Sequence, residues 1–173
     1  CRQRDTPIIT FVNKMDREVR DPLDIMDEVE RELGMPCCPI TWPVGQGKSF
    51  GGIINLQTQS MTVFAPGSDR GPKDFEVIPL SEGDKLRARF GKAYDDALES
   101  MELAQGASAE WNHADFLAGK LTPVFFGSGV NNFGVMEVLD AVVDMSPPPG
   151  PRVAFTEVNR QREERIIKPE DKG

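Results

Sequence analysis

The chain has 173 residues, 39% of them hydrophobic and 28% charged, with a formal net charge of −8 at pH 7. That size allows one domain with a real core and room for an inserted subdomain, and the balance is that of a soluble globular protein. The acidic excess argues against unassisted binding to nucleic acid at large, which needs cations to neutralise phosphates. Partners should therefore be proteins, a nucleotide, or a nucleic-acid assembly met through local patches. The apolar runs are far too short to cross a bilayer, and the N-terminus has no signal-peptide pattern. The cysteines, with Cys37 and Cys38 adjacent, fit neither a disulfide framework nor a metal-ligand spacing. They read as free thiols in a reducing cytosol, so a cytoplasmic location is expected. The start at Cys1-Arg2-Gln3-Arg4-Asp5, without an initiator methionine, and the polar end at Lys172-Gly173 read as a piece of a longer protein.

In chain order, residues 1–5 read as the tail of a helix, and Thr6-Pro7 turns the chain into a first strand. Ile8-Ile9-Thr10-Phe11-Val12 is a short apolar run without alternation, the pattern of a strand buried on both faces of a parallel sheet. Asp21-Pro22 opens a helix, with Leu23, Met26, Val29 and Leu33 on one face, acidic residues including Glu30 on the solvated face, and Gly34 as the stop. From Met35 the texture changes to proline and glycine between short strand-like pieces. Residues 53–56, 60–64 and 75–78 read as strands, with residues 67–73 as a loop. Ser81-x-x-Asp84 resembles a capping box opening one long helix with the stripe Leu86, Phe90, Tyr94, Ala97, Met101 and Ala104, ended by Gly106. Ser108 then caps a shorter helix carrying Trp111 and Phe116. A second buried parallel strand is predicted at Thr122-Pro123-Val124-Phe125-Phe126. Asn132 caps a helix that turns Val135, Val138, Leu139, Val142 and Val143 inward and halts at Pro147-Pro148-Pro149. The segment Ser146 to Pro151 is a stiff linker, and residues 153–173 are charged, weakly patterned connector.

The chemistry lies after the two parallel strands, because ligands in open α/β sheets sit beyond the carboxyl ends of the strands. Asn13-Lys14-Met15-Asp16 follows the first. A carboxylate such as Asp16 is acceptor-only and can take two parallel hydrogen bonds from guanine N1–H and the exocyclic amine, a donor pair adenine lacks. A buried acceptor left unpaired by the wrong base can reject it by roughly 10⁴-fold. Asn13 offers a donor and an acceptor, and the stem of Lys14 can lie across a ring face. Gly127-Ser128-Gly129 follows the second strand, where backbone N–H groups around Ser128 and Gly129 can donate to guanine O6. Alone, each loop is also compatible with an ordinary polar turn; paired across one crevice, they read as a guanine site.

Two features read as bland. Gly45-Gln46-Gly47-Lys48-Ser49 resembles the end of a phosphate-binding loop, but Trp42 stands where the first glycine belongs, and Ser49 is followed by a strand rather than the helix that must hold phosphates. His113 reads as a surface residue. No Ser/His/Asp or Cys/His grouping is assignable, so neither a catalytic residue nor a metal ligand is predicted.

With both loops placed, the chain resembles the translational GTPases, and among them those acting in termination. The likeness extends over most of residues 1–150. It is carried by Thr6-Pro7-Ile8-Ile9-Thr10-Phe11-Val12-Asn13-Lys14-Met15-Asp16-Arg17, Arg20-Asp21-Pro22, Pro39-Ile40-Thr41-Trp42-Pro43-Val44-Gly45, Phe116-Leu117-Ala118-Gly119 and Thr122-Pro123-Val124-Phe125-Phe126-Gly127. Elongation factor G is similar in the first motif and in its inserted subdomain but typically lacks the Thr-Trp-Pro pattern at 41–43. Gly129 stands where many relatives carry alanine.

The resemblance implies an α/β fold: a partial P-loop GTPase, a parallel sheet with flanking helices, carrying an inserted α+β subdomain. Residues 1–40 and 115–150 would be the C-terminal half of the GTP-binding domain, 41–114 the insert, and 151–173 a linker toward a β-barrel domain. Asn13, Lys14 and Asp16 match the first guanine-recognition motif; Ser128 and Gly129 match the second. The implied cofactor is GTP or GDP, with Mg held in the longer protein by residues outside this chain. The implied partners are the ribosome and class-1 release factors, recycled after termination, with no membrane and no direct sequence-specific nucleic-acid binding. The phosphate-binding loop and switch segments that position phosphoryl transfer are not in this sequence, so the chain alone is expected not to hydrolyse GTP. The alternatives are an elongation factor G-like or ribosome-protection GTPase, or a non-catalytic module that contacts the ribosome.

Overall fold

A computed structural model describes residues 6–64, 75–148, 150–158 and 161–169. The expectations for residues 1–5 and for the loop at 67–73 fall on positions outside these. Three parallel strands form the first sheet, in the order β1 (Thr10–Val12), β7 (Thr122–Phe126), β2 (Cys37–Pro39). The central strand is buried at every residue, which is why its sequence is apolar without alternation. The register sets Val12 opposite Phe126, so the loops that follow β1 and β7 leave the sheet side by side.

Helix α1 (Pro22–Leu33) connects β1 to β2 and is built as its sequence predicts. The Asp21 carboxylate accepts from the Leu23 N–H at 2.8 Å, Pro22 fills the first turn, and Gly34 closes the end at φ 59°. Glu30 departs from its expected role: its carboxylate accepts the Cys37 N–H at 2.7 Å and so ties the helix to the start of β2. Cys37 and Cys38 are buried free thiols. Burial first, then the neighbouring Glu30 and Cys38, push the Cys37 thiol up to about 12. Burial pushes Cys38 up to about 11, so both stay protonated and unreactive.

From β2 the chain passes through Ile40 into an antiparallel sheet of β3 (Thr41–Val44), β4 (Gly52–Asn55), β5 (Ser60–Phe64) and β6 (Phe75–Pro79), in that order. The two sheets share a core. Trp42, wholly buried, meets Phe126 edge-on at 5.2 Å and donates its indole N–H to Ser100 Oγ at 2.9 Å. Buried Thr41 stands in for a strand neighbour at the end of β7: its Oγ1 donates to the Phe126 carbonyl at 3.0 Å and accepts the Phe126 N–H at 2.7 Å.

The single long helix expected after residue 81 is two, α2 (Gly83–Phe90) and α3 (Lys92–Ala107). Gly91 separates them at φ 54°, ψ −131°, which no residue inside a helix can adopt. The capping box at Ser81 is not formed; Ser81 lies in a 3₁₀ turn, Leu80–Glu82. Helix α3 runs past Gly106, and Tyr94, Ala97, Met101 and Ala104 pack against the core as the stripe predicts. Helix α4 (His113–Leu117) is capped by Asn112 rather than Ser108, which is instead the C-cap of α3, and Trp111 precedes it.

Helix α5 (Val135–Met145) follows β7, with Gly134 at its start rather than Asn132. Only Ala141 is buried in it, and Leu139, Val142 and Val143, expected inside, are exposed. Against the expectation of weakly patterned connector at residues 153–173, β8 (Arg152–Val158) and β9 (Gln161–Ile167) pair as antiparallel strands. Among the described residues no helix is long and apolar enough to cross a membrane.

Candidate functional site

The loop after β1 leaves the sheet under constraint. Lys14 takes φ 73°, a left-handed conformation that costs a side-chain-bearing residue about 1 kcal/mol or more. The Asn13 carboxamide offsets it, accepting the Lys14 N–H at 2.7 Å. Met15 is then driven inward with no exposed surface, and its N–H donates to the Gly127 carbonyl at 3.0 Å. That inward turn leaves Asn13 and Lys14 exposed and Asp16 half-buried at the mouth of the sheet.

The loop after β7 meets it there. Gly127 donates to the Val12 carbonyl at 3.0 Å, and a Cβ on Gly127 would lie 2.2 Å from the Phe133 carbonyl oxygen, so only glycine fits. Ser128, fully buried, donates its hydroxyl to Asp16 Oδ1 at 2.5 Å. The Gly129 N–H donates to Asn13 Oδ1 at 2.9 Å. All five predicted site residues, Asn13, Lys14, Asp16, Ser128 and Gly129, therefore lie in two loops joined side chain to side chain and side chain to backbone. A Cβ on Gly129 would stand 3.4 Å from Asn13 Oδ1, so an alanine is accommodated at that position.

One assignment changes. The backbone donors expected at Ser128 and Gly129 are both engaged within the protein. The Ser128 N–H is bonded to the Phe133 carbonyl at 2.9 Å, in a bridge returned by the Phe133 N–H to Ser128 at 3.0 Å. The Gly129 N–H is held by Asn13. Among the described residues, the next backbone N–H in the loop, that of exposed Val130, has no hydrogen-bond partner. Sequence reasoning missed it because a valine advertises only its apolar side chain. With Asn13 Oδ1 doubly used, its amide nitrogen is what remains to face a ligand.

The arrangement presents one carboxylate oxygen held by a hydroxyl and one left over, an amide donor, a backbone donor and an aliphatic lysine stem. That set matches a planar ring edge carrying adjacent donors and an acceptor. A polar hollow of about 470 Å³ is lined by Asp16 together with Gly47, Lys48, Phe50, Phe64 and Asn131. The loop Gly45 to Ser49 borders it but holds no phosphate cradle. Ser49 Oγ is bonded to the Gln46 carbonyl at 2.8 Å, and a strand follows at Gly52. His113 Nε2 lies 3.1 Å from the Met145 carbonyl oxygen, away from both loops. Among the described residues, no three His, Cys, Asp or Glu side chains are placed to hold a metal ion.

Residues 1–148 match the family model of the elongation factor Tu GTP binding domain. The chain is 50% identical over 171 residues to a peptide chain release factor 3 of Bordetella petrii, covering 99% of this chain and 30% of that protein. It is 54% identical over 156 residues to a peptide chain release factor 3 of Nitrosomonas eutropha, covering 90% of this chain and 29% of that protein. The chain thus spans about 30% of the length of the curated relatives it matches. A crystal structure of ttk003000868 from Thermus thermophilus superposes with a TM-score of 0.55 at 20% identity, over 87% of this chain and 25% of that one, a likeness of fold alone. Parallel sheet, flanking helices and the match over residues 1–148 agree: the chain belongs to the family of the elongation factor Tu GTP-binding domain.

Proposed function

We propose that Asn13, Lys14, Asp16, Ser128 and Gly129 form the guanine-reading half of a GTPase, with the Val130 N–H as the donor to O6. The free oxygen of Asp16 and the one shared with Ser128 take the N1–H and the exocyclic amine. The Asn13 amide nitrogen faces the imidazole side of the base, and the Lys14 stem covers a ring face. The single observation behind this reading is the pair of contacts that joins the loops: Ser128 to Asp16 at 2.5 Å and Gly129 to Asn13 at 2.9 Å. They hold an acceptor and two donors at one mouth before any ligand arrives, the preorganisation that recognition needs.

The longer protein that carries this chain hydrolyses GTP on the ribosome and recycles class-1 release factors after termination, in the cytoplasm. The names of its relatives, peptide chain release factor 3, support that reading. Residues 41–114 are the insert, flanked by the two parts of the GTP-binding domain at 1–40 and 115–150, and 151–173 leads toward a β-barrel domain. The 173-residue chain by itself turns over no GTP, because its sequence supplies base contacts and no phosphate cradle. In the full-length protein, Asp16→Asn is expected to cut the preference for GTP over ATP by about 10²-fold or more, measured as the ratio of kcat/KM values on ribosomes. An unchanged ratio would remove Asp16 from the site.

A further inference from the structure

Two structural links reach the base-reading loops from the antiparallel sheet. The first is a backbone bond. Gly47, at φ 56°, donates its N–H at 3.0 Å to the carbonyl of Met15, the residue between Lys14 and Asp16. A Cβ on Gly47 would crowd the Glu18 backbone nitrogen and side chain at 3.3 Å, so the loop from Gly45 to Ser49 lies flat on the recognition loop. The second is aromatic. Phe133, with no exposed surface, is surrounded by Phe64 at 4.4 Å, Phe75 at 4.9 Å and Phe50 at 5.2 Å between ring centroids, all three from the antiparallel sheet or the loop leading into it. Phe133 is also the residue whose backbone closes the paired bridge to Ser128, and Ser128 carries the hydroxyl on Asp16. One route enters Asp16 from its N-terminal neighbour and the other through its hydrogen-bond partner.

We infer that the antiparallel unit sets the angle at which Asp16 meets the base, and that Phe133 and Gly47 are positioning residues for guanine recognition. This rests on the reading of the two loops as a guanine site. Each acts through a group of the base-reading loops: Gly47 through the Met15 carbonyl, Phe133 through Ser128. Loosening the aromatic cage lets the 128–133 bridge shift, and Ser128 then no longer holds Asp16 square to a two-point ring edge.

The test compares GDP with IDP, whose hypoxanthine keeps N1–H and O6 but lacks the exocyclic amine, in the full-length protein. A well-placed carboxylate makes two bonds to GDP and one to IDP, so the affinity ratio reports the alignment of Asp16 and a general loosening of the fold does not. Phe133→Leu is expected to lower the GDP/IDP ratio by about 5-fold or more, and Phe64→Leu, at the half-buried rim of the cage, by about 2-fold, within the range one misaligned hydrogen bond spans. Parallel losses for both nucleotides, or an unchanged ratio in Phe64→Leu, would overturn the proposal. Where Phe133→Leu fails to fold, Phe64→Leu carries the test. If the unaltered protein binds IDP or ADP as tightly as GDP, the guanine reading itself falls, a result distinct from variants that keep a normal preference.

Discussion

Helices α3 and α5 both carry an apolar stripe, that of α5 the richer in Val and Leu, and the molecule treats them in opposite ways. In α3 the stripe is swallowed: Tyr94, Ala97, Met101 and Ala104 are all buried beneath the antiparallel sheet. In α5 only Ala141 is buried, while Met136, Leu139, Val142 and Val143 are exposed, Val143 at 80%. A stripe specifies a face and its period; whether that face is covered depends on what else packs there. Substitutions on the two stripes should therefore diverge in energy, the less apolar helix being the more sensitive.

The largest difference is expected between Met101→Ala and Val143→Ala. The first empties a buried site and should cost about 2–5 kcal/mol, while the second should stay within about 0.5 kcal/mol, both read from chemical denaturation. Comparable losses would mean that α5 is packed as α3 is. Next comes Thr41→Val, which removes the hydroxyl serving both backbone groups of Phe126 while preserving shape. Two buried groups lose their partner, so a loss of about 2–4 kcal/mol is expected, and a neutral result would show that the end of β7 finds water instead.

The smallest effect concerns Glu137 in the first turn of α5. Burial, with a further push from Asp140, raises its carboxyl above the ordinary range, against the opposing pull of its own backbone N–H and the Thr62 hydroxyl. An acid that binds its proton more tightly when folded contributes stability at acid pH, and that contribution is lost as pH rises through the raised value. Glu137→Gln, always neutral, should thus unfold at a higher temperature than the native chain at pH 7. The gap should close as pH falls below the ordinary glutamate range. A gap that persists in acid would point to packing instead of charge.

Much of the parallel sheet was legible because its signals are local and strong. The apolar run of β7, the Asp21-Pro22 start and the Gly34 stop each act through their own backbone conformation. The break at Gly91 was not legible, since Leu86, Phe90, Tyr94 and Ala97 keep helical spacing straight across it and one glycine does not disturb a period. The pairing of β8 with β9 was hidden because β9 begins Gln161-Arg162-Glu163-Glu164-Arg165, a charged run in which alternation leaves no trace. At the candidate site, the pairing of two polar loops could be read from strand-then-loop spacing. The division of labour could not, because it depends on Phe133 folding back five residues to occupy the Ser128 N–H. The sequence names groups; only the closed loop decides which are already satisfied. The same holds for Glu30, an apparent surface acid whose carboxylate completes the start of β2.

The central claim is that Asp16 reads a two-donor ring edge, and a base swap tests it most directly. In the full-length protein, Asp16→Asn replaces one acceptor by a donor, and xanthine replaces the exocyclic amine by a carbonyl. Titration of GDP and XDP against both proteins should show the unaltered protein preferring GDP and the variant preferring XDP, with the ratio crossing one. A variant that still prefers GDP as strongly as the native protein would contradict the account.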